Sequence, residues 1–213
     1  MAEPHTVADL VKHMQAAVDI PVTVKHRIGI DDFDSYEFMV DFVEKVAAAG
    51  CTRFIVHART AWLQGLSPKQ NREIPPLRYD DVYRLKQDFP ALDIEINGGI
   101  ETVADIKAHL QHIDGVMIGR AFYHNPYLLA EANSLWGAPI PKRSDILAKL
   151  YPYLEEQVAK GEALPTMTRH YLGLFQGLMG ARKWRQALSG KPQLTIDDIK
   201  RAAEEVLALN PDA

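Results

Sequence analysis

The 213-residue chain predicts an α/β fold built on a parallel sheet and followed by an all-helical segment. Two observations lead there. Four short apolar runs, at about residues 22–28, 53–57, 93–96 and 114–118, each pass through a polar or glycine-bearing turn into helical periodicity. Four consecutive strand–helix units imply parallel pairing with right-handed crossovers. Strand signals then cease beyond Trp136. Four units make half of a (β/α)8 TIM barrel, and a small open α/β sheet, complete in itself, is the alternative. The chain opens on a helix with no strand before it, which favours the half barrel. On this reading the chain is the carboxyl-terminal portion of a longer protein, and Met1 is an internal methionine.

Residues Thr6 to Val18 set Val7, Leu10, Val11, Met14 and Val18 at helical spacing, and Asp19-Ile20-Pro21 ends that helix. Val22-Thr23-Val24 opens a strand that finishes in Lys25-His26-Arg27-Ile28-Gly29. Asp34 or Ser35 caps a helix to about Ala49, with Gly50 at its carboxyl end. Arg53 to His57 is the second strand, and a long connection, Ala58 to Tyr79, precedes a short helix around Asp80 to Asp88. Asp93 to Ile96 runs through Asn97-Gly98-Gly99-Ile100 into a helix over Glu101 to Gln111. Asp114 to Ile118 runs through Gly119-Arg120 into a helix from about Ala121. Gly137-Ala138-Pro139-Ile140-Pro141 reads as a linker, so residues 1–136 form the half barrel and 137–213 a helical domain. Within the latter, helical patterns cover Ser144 to Lys160, Thr166 to Met179, Ala181 to Leu188 and Ile196 to Leu209.

Composition narrows the function. A hydrophobic content of 47% and a charged content of 24% belong to a soluble globular protein. A net charge of −4 argues against nucleic-acid binding through bulk charge, so any RNA contact needs a local patch. Cys51 is the one cysteine, which excludes an internal disulfide framework and suits a reducing cytoplasm. No apolar run approaches the roughly 18 residues of a membrane span, and the amino end is not a signal peptide. The expected setting is cytoplasmic, with no membrane contact. No HExxH, paired CxxC, Walker loop or G-x-S-x-G occurs, which leaves metal, kinase-type and hydrolase chemistry without support.

The polar groups at the strand ends are Lys25 with Arg27, His57 with Arg59, Asn97, and Arg120. In a parallel barrel these ends converge on one mouth. Asn97-Gly98-Gly99 and Gly119-Arg120 would bring bare backbone N–H groups and a guanidinium to a phosphate, although glycine at an ordinary βα turn needs no ligand to explain it. The connection holds Trp62, Lys69, Arg72 and a rigid Pro75-Pro76 exit, features of an ordered, substrate-contacting loop. In Ala163 to Lys191, Arg169, Arg182, Lys183, Arg185 and Lys191 occur without any acidic residue, interleaved with Tyr171, Phe175 and Trp184. That pattern fits contact with a phosphate backbone or, equally, a solvated face over a helical core. Cys51, at a strand entry, reads as a small buried residue.

These motifs resemble one family. Val22-Thr23-Val24-Lys25-His26-Arg27-Ile28-Gly29-Ile30-Asp31-Asp32 is similar to a segment of the tRNA-dihydrouridine synthases. So are His57-Ala58-Arg59, Gly65-Leu66-Ser67-Pro68-Lys69, Asn71-Arg72-Glu73-Ile74-Pro75-Pro76-Leu77, Asn97-Gly98-Gly99-Ile100 and Asp114-Gly115-Val116-Met117-Ile118-Gly119-Arg120. The loop and Thr168-Arg169-His170 to Trp184-Arg185 most resemble the A-type, tRNA-dihydrouridine(20/20a) synthases.

The resemblance implies an FMN-containing TIM barrel followed by a helical tRNA-binding domain. NADPH would reduce the flavin, the flavin would pass hydride to C6 of a uracil flipped out of the tRNA D-loop, and a cysteine would protonate C5. By motif, Lys25 and His57 would contact the flavin ring, and Asn97, Gly98, Gly99, Gly119 and Arg120 would hold its phosphate. Lys69, Arg72, Arg182 and Arg185 would touch tRNA. The family's catalytic cysteine belongs to a strand end preceding the residues present here, and Cys51 does not match it. The chain is therefore expected, alone, to bind FMN poorly and reduce no uridine. A non-catalytic tRNA-binding relic and another FMN-dependent oxidoreductase acting on a small molecule are the alternatives.

Overall fold

A computed structural model describes residues 1–189, 193–211 and 213. Lys191, in the predicted basic segment, lies outside the described residues. Contacts divide the chain into two compact units, Met1–Ile118 and Gly119–Ala213.

The first unit is an α/β layer. Helix α1 (Pro4–Ala17) leads to β1 (Val24–Arg27), then α2 (Tyr36–Ala48), β2 (Arg53–His57), α3 (Tyr79–Asp88), β3 (Asp93–Asn97), α4 (Val103–His109) and β4 (Gly115–Met117). The four strands are all parallel and ordered β1-β2-β3-β4, so the chain adds each new strand beside the last. Helix α2 follows from its sequence: the Ser35 hydroxyl accepts from the Phe38 amide at its start, and Gly50, at φ 105°, turns the chain at its end. Its Met39, Phe42, Val43 and Val46, at helical spacing, are fully buried. They pack with Phe54, Val56, Ile94 and Ile96 of the sheet and Val82 and Leu85 of α3 to form the core.

Two local expectations need correction here. Helix α1 buries Ala8 and Val11, whereas Leu10 and Met14, expected on its inner face, are each 52% exposed. Helix α4 is shorter than the predicted Glu101–Gln111. A capping box starts it late: Thr102 Oγ1 accepts from the Asp105 amide while the Asp105 carboxylate accepts from the Thr102 amide.

The second unit contains helices and turns among its described residues: α5 (Arg120–His124), α6 (Tyr127–Ala132), α7 (Arg143–Ala159), α8 (Leu164–Thr168), α9 (Ala181–Ser189) and α10 (Ile196–Leu209). Leu147 and Leu154 of α7, Phe175, Trp184 of α9, and Ile199 and Val206 of α10 share one buried cluster. The predicted helix from Thr166 to Met179 is not continuous. It stops at Thr168, and turns with i to i+3 hydrogen bonds carry the chain to Ala181. Gly177 and Gly180 take φ of 83° and 87°, which helical backbone does not permit. Gly173 lies where an added Cβ would be 1.8 Å from the His124 carbonyl oxygen.

Candidate functional site

In a parallel sheet, residues in register face the same side, and alternate residues face opposite sides. One face carries Phe54 with Ile94, and His26 with Val56, Ile96 and Val116. His26 packs on Phe42 of α2 at 5.0 Å between ring centroids, so this is the helix side. The other face carries Lys25 in register with Ile55, Glu95 and Gly115, and Arg27 in register with His57, Asn97 and Met117. Lys25, His57 and Asn97, assigned from separate motifs, therefore share one face at the carboxyl end of the sheet. At the amino end, Arg53 lies 3.7 Å from Asp93 and 3.4 Å from Glu95, closing that end with opposite charges.

The three residues are connected. The Lys25 ammonium donates to Asn97 Oδ1 at 3.1 Å, and Asn97 Nδ2 donates to the Met117 carbonyl at 2.8 Å. His57 is buried and sits against the glycine turn that follows Asn97. Gly98 has φ 117°, and a Cβ there would stand 2.7 Å from His57 Cδ2; Gly99 has φ 69°, and a Cβ there would meet Leu77 at 2.6 Å. Both positions require glycine through backbone conformation and crowding. Tyr79 Oη donates to the Gly98 carbonyl at 2.8 Å and so anchors the turn. Burial pushes the Tyr79 phenol up, which keeps it a donor. A cavity of about 310 Å³ at β1, lined by Met1, Val7, Val24, Lys25, His26, Arg27, Ile30, Phe42 and Ala61, shares Lys25 and Arg27 with this group but reaches round to the helix side.

Cations converge at this end. Burial, then the charge of Arg27, lowers the pKa of Lys25; burial, then Arg59 and Arg72, lowers that of Arg27. A place where cations depress one another is one where an anion binds favourably. The long connection is ordered around them. The Arg27 guanidinium donates to the Thr60 and Asn71 carbonyls at 3.0 and 2.9 Å, and Arg59 donates to the carbonyls of Glu73 and Pro75. Asn71 accepts from the Trp62 amide at 3.0 Å, and Asp31 Oδ1 accepts from the Leu63 amide at 2.7 Å. Lys69 and Arg72 are exposed at the 3-10 turn Gln70–Arg72 of this loop.

The remaining assigned residues lie in the second unit. Gly119 and Arg120 open α5, and a Cβ at Gly119 would meet no atom within 4 Å. Its φ of −111° leaves neither packing nor conformation to require glycine there. On α9, Ala181, Trp184 and Leu188 face the core while Arg182 and Arg185 are exposed. Cys51 is fully buried at the entry to β2, its thiol within hydrogen-bonding reach of the Arg53 carbonyl at 3.3 Å, and burial raises its pKa. Sequence reasoning missed Tyr79 and the loop-tying role of Arg27. Neither has a motif, because each acts on backbone carbonyls that are distant in sequence.

The dihydrouridine synthase (Dus) family profile matches residues 1–206. The chain is 59% identical over 193 residues to the tRNA-dihydrouridine(20/20a) synthase of Vibrio parahaemolyticus, covering 89% of this chain and 59% of that protein. It is 55% identical over 213 residues to the same-named protein of Vibrio vulnificus, covering 97% and 65%, and 58% identical over 192 residues to that of Synechocystis, covering 89% and 58%. The chain thus spans 58% to 65% of the length of these curated relatives. On the family match and this identity, the chain belongs to the dihydrouridine synthase family.

Proposed function

We propose that this chain serves the reduction of uridine to 5,6-dihydrouridine in the D-loop of tRNA, with its first 136 residues as the carboxyl-terminal half of a flavin-binding barrel and residues 137–213 as a tRNA-binding helical domain. The observation that carries the reading is the shared sheet face of Lys25, His57 and Asn97, bordered by cations, in a chain of this family. When bound, FMN reduced by NADPH supplies the hydride that saturates the uracil ring. The residues present fit that cofactor. Lys25 and His57 offer donors to the carbonyl-bearing ring, and the Asn97-Gly98-Gly99 turn and Gly119-Arg120 offer backbone N–H groups and a guanidinium to the phosphate. Gly119, where an added Cβ would meet no described atom within 4 Å, leaves room for such a group.

Lys69 and Arg72 on the ordered loop, and Arg182 and Arg185 on α9, contact tRNA in this reading. A target base must leave its stack to reach a flavin, and positive side chains hold the distorted backbone while it does so. Asn97, by accepting from Lys25, orients the ammonium toward the site. A proton must also reach C5 of the base, and Cys51 is not its source, being buried at the amino end of β2 with its thiol directed at carbonyls.

A second reading is tRNA binding without reduction, which the exposed Arg182 and Arg185 of α9 favour. One experiment separates the two. The gene is disrupted in its host, and dihydrouridine in purified tRNA is measured by mass spectrometry. Loss of dihydrouridine at a D-loop position, restored by the wild-type gene and not by K25M, is the expected result. Unaltered dihydrouridine overturns the synthase reading; tRNA binding by the purified chain would then favour the second.

A further inference from the structure

Within the second unit a cavity of about 570 Å³ opens between the end of α5 and the turns that follow α8. Tyr123, His124, Arg169, Gln176 and Arg185 line it, and among the described residues no acidic side chain does. Gly173 allows the wall to form, because any side chain there would strike the His124 carbonyl. A volume of this size lies inside the range of about 300–1,000 Å³ that small-ligand sites occupy.

The polar groups are arranged in sequence. Arg169 Nε donates to His170 Nε2 at 3.1 Å. A guanidinium only donates, so Nε2 accepts and the imidazole proton resides on Nδ1. Nδ1 lies 3.1 Å from the Tyr123 hydroxyl and donates to it, which leaves the hydroxyl proton free to point elsewhere. The His170 ring meets the Tyr123 ring edge-on at 5.9 Å, so Tyr123 is braced from one side while remaining 53% exposed. Arg169 and Arg185 have no acidic partner among the described residues. The result is an exposed, held aromatic ring beside two guanidinium groups and one amide.

We propose that this cavity binds a single unstacked nucleotide of RNA. Arg169 and Arg185 take its phosphodiester, the Tyr123 ring stacks on its base, and the Gln176 amide meets the base edge. A bare basic helix face would be served by charge alone; the held ring is what distinguishes a nucleotide pocket from a phosphate track. The inference rests on the reading that the chain acts on tRNA, and adds within the second unit a place where a nucleotide is received.

The test is binding of an unmodified tRNA transcript to the 213-residue chain, by fluorescence anisotropy across a salt series, with far-UV circular dichroism to confirm folding. Tyr123→Leu weakens binding about tenfold at every salt concentration, as loss of a base stack does. Tyr123→Phe, which keeps the ring, stays within about twofold. Arg169→Gln weakens binding and reduces the slope of log K against log salt by about one. Wild-type affinity in both Y123L and R169Q would overturn the pocket while leaving tRNA as the substrate. A wild-type chain that binds no tRNA would overturn the pocket and the tRNA reading together.

Discussion

His26 shows how one residue can tie the sheet to solution conditions. It lies on the helix side of β1 between Phe42 and Phe54, at 5.0 and 5.9 Å between ring centroids, and its Nδ1 donates to the Arg27 carbonyl at 2.7 Å. Nε2 is buried without a partner, so a proton added there would place a charge among aromatic rings. Burial pushes its pKa down to about 4, against the stabilising backbone bond and helped by the positive charges of the amino terminus and Lys25. An unfolded histidine takes its proton near pH 6.5. Between these values the unfolded chain binds more protons than the folded one, so stability falls as pH drops from about 6.5 to about 4 and then levels. The full loss is about 3 kcal/mol at 1.36 kcal/mol per pH unit. Urea midpoints at pH 7 and pH 5 should separate for the wild-type chain by clearly more than for His26→Leu. An equal separation would show that other groups carry the acid sensitivity. Cys51 gives a second test at this scale. Its placement away from the sheet's carboxyl end predicts that Cys51→Ala lowers stability by about 1 kcal/mol and leaves tRNA binding unchanged. A loss of binding with an intact fold would return the thiol to the site.

Among the elements, local signals decided which were legible. Helix α2 carries its cap at Ser35 and its stop at Gly50 within its own neighbourhood, and α10 runs Ile196–Leu209, the bounds its periodicity predicts. The strands were legible because each apolar run is short and bounded by turn residues. The stretch after α8 was not, since Leu172, Leu174, Phe175, Leu178 and Ala181 satisfy a helical pattern while Gly177 and Gly180 redirect the backbone. Periodicity reports which residues are buried and does not report the path between them. The ties of Arg27 to Thr60 and Asn71 were equally hidden, spanning 33 and 44 residues to backbone oxygens that any sequence supplies. Gly173 turns this into a prediction. A Cβ 1.8 Å from the His124 carbonyl forces backbone to move, so Gly173→Ala should cost about 3 kcal/mol, the upper part of the range for overpacking, in urea unfolding. Gly137, where a Cβ would meet nothing within 4 Å, should tolerate alanine with a smaller loss, owed to its φ of 68°. Equal losses at the two positions would mean that contact with His124 does not shape the segment.

Across the whole molecule, charge is distributed so that the net value misleads. The chain carries −4 overall. Yet Lys25, Arg27, Arg59 and Arg72 gather at one end of the sheet, where burial and then Arg59 and Arg72 lower the pKa of Arg27, and Arg169, Arg182, Lys183 and Arg185 occur in the second unit without acidic partners among the described residues. The excess acids lie elsewhere, many of them engaged at short range, as in Arg78 with Asp34, Lys86 with Asp114 and Lys200 with Glu155. A polyanion therefore meets positive regions at contact distance, while at long range it meets a weakly repulsive whole. Screening separates the two, because the Debye length is about 10 Å at 0.1 M salt. Binding of tRNA should then weaken steeply as salt rises, with a slope of log K against log salt of about −3 if four phosphates are engaged at roughly 0.7 to 0.9 each. Replacing Arg182 and Arg185 together by glutamine should flatten that slope by about two, whereas replacing Lys45 and Lys160, which pair with Asp41 and Glu156 within their own helix faces, should leave it unaltered. Flattening of the same size in both double variants would mean that tRNA responds to the total charge of the molecule. A change confined to the first would place the RNA contact on α9.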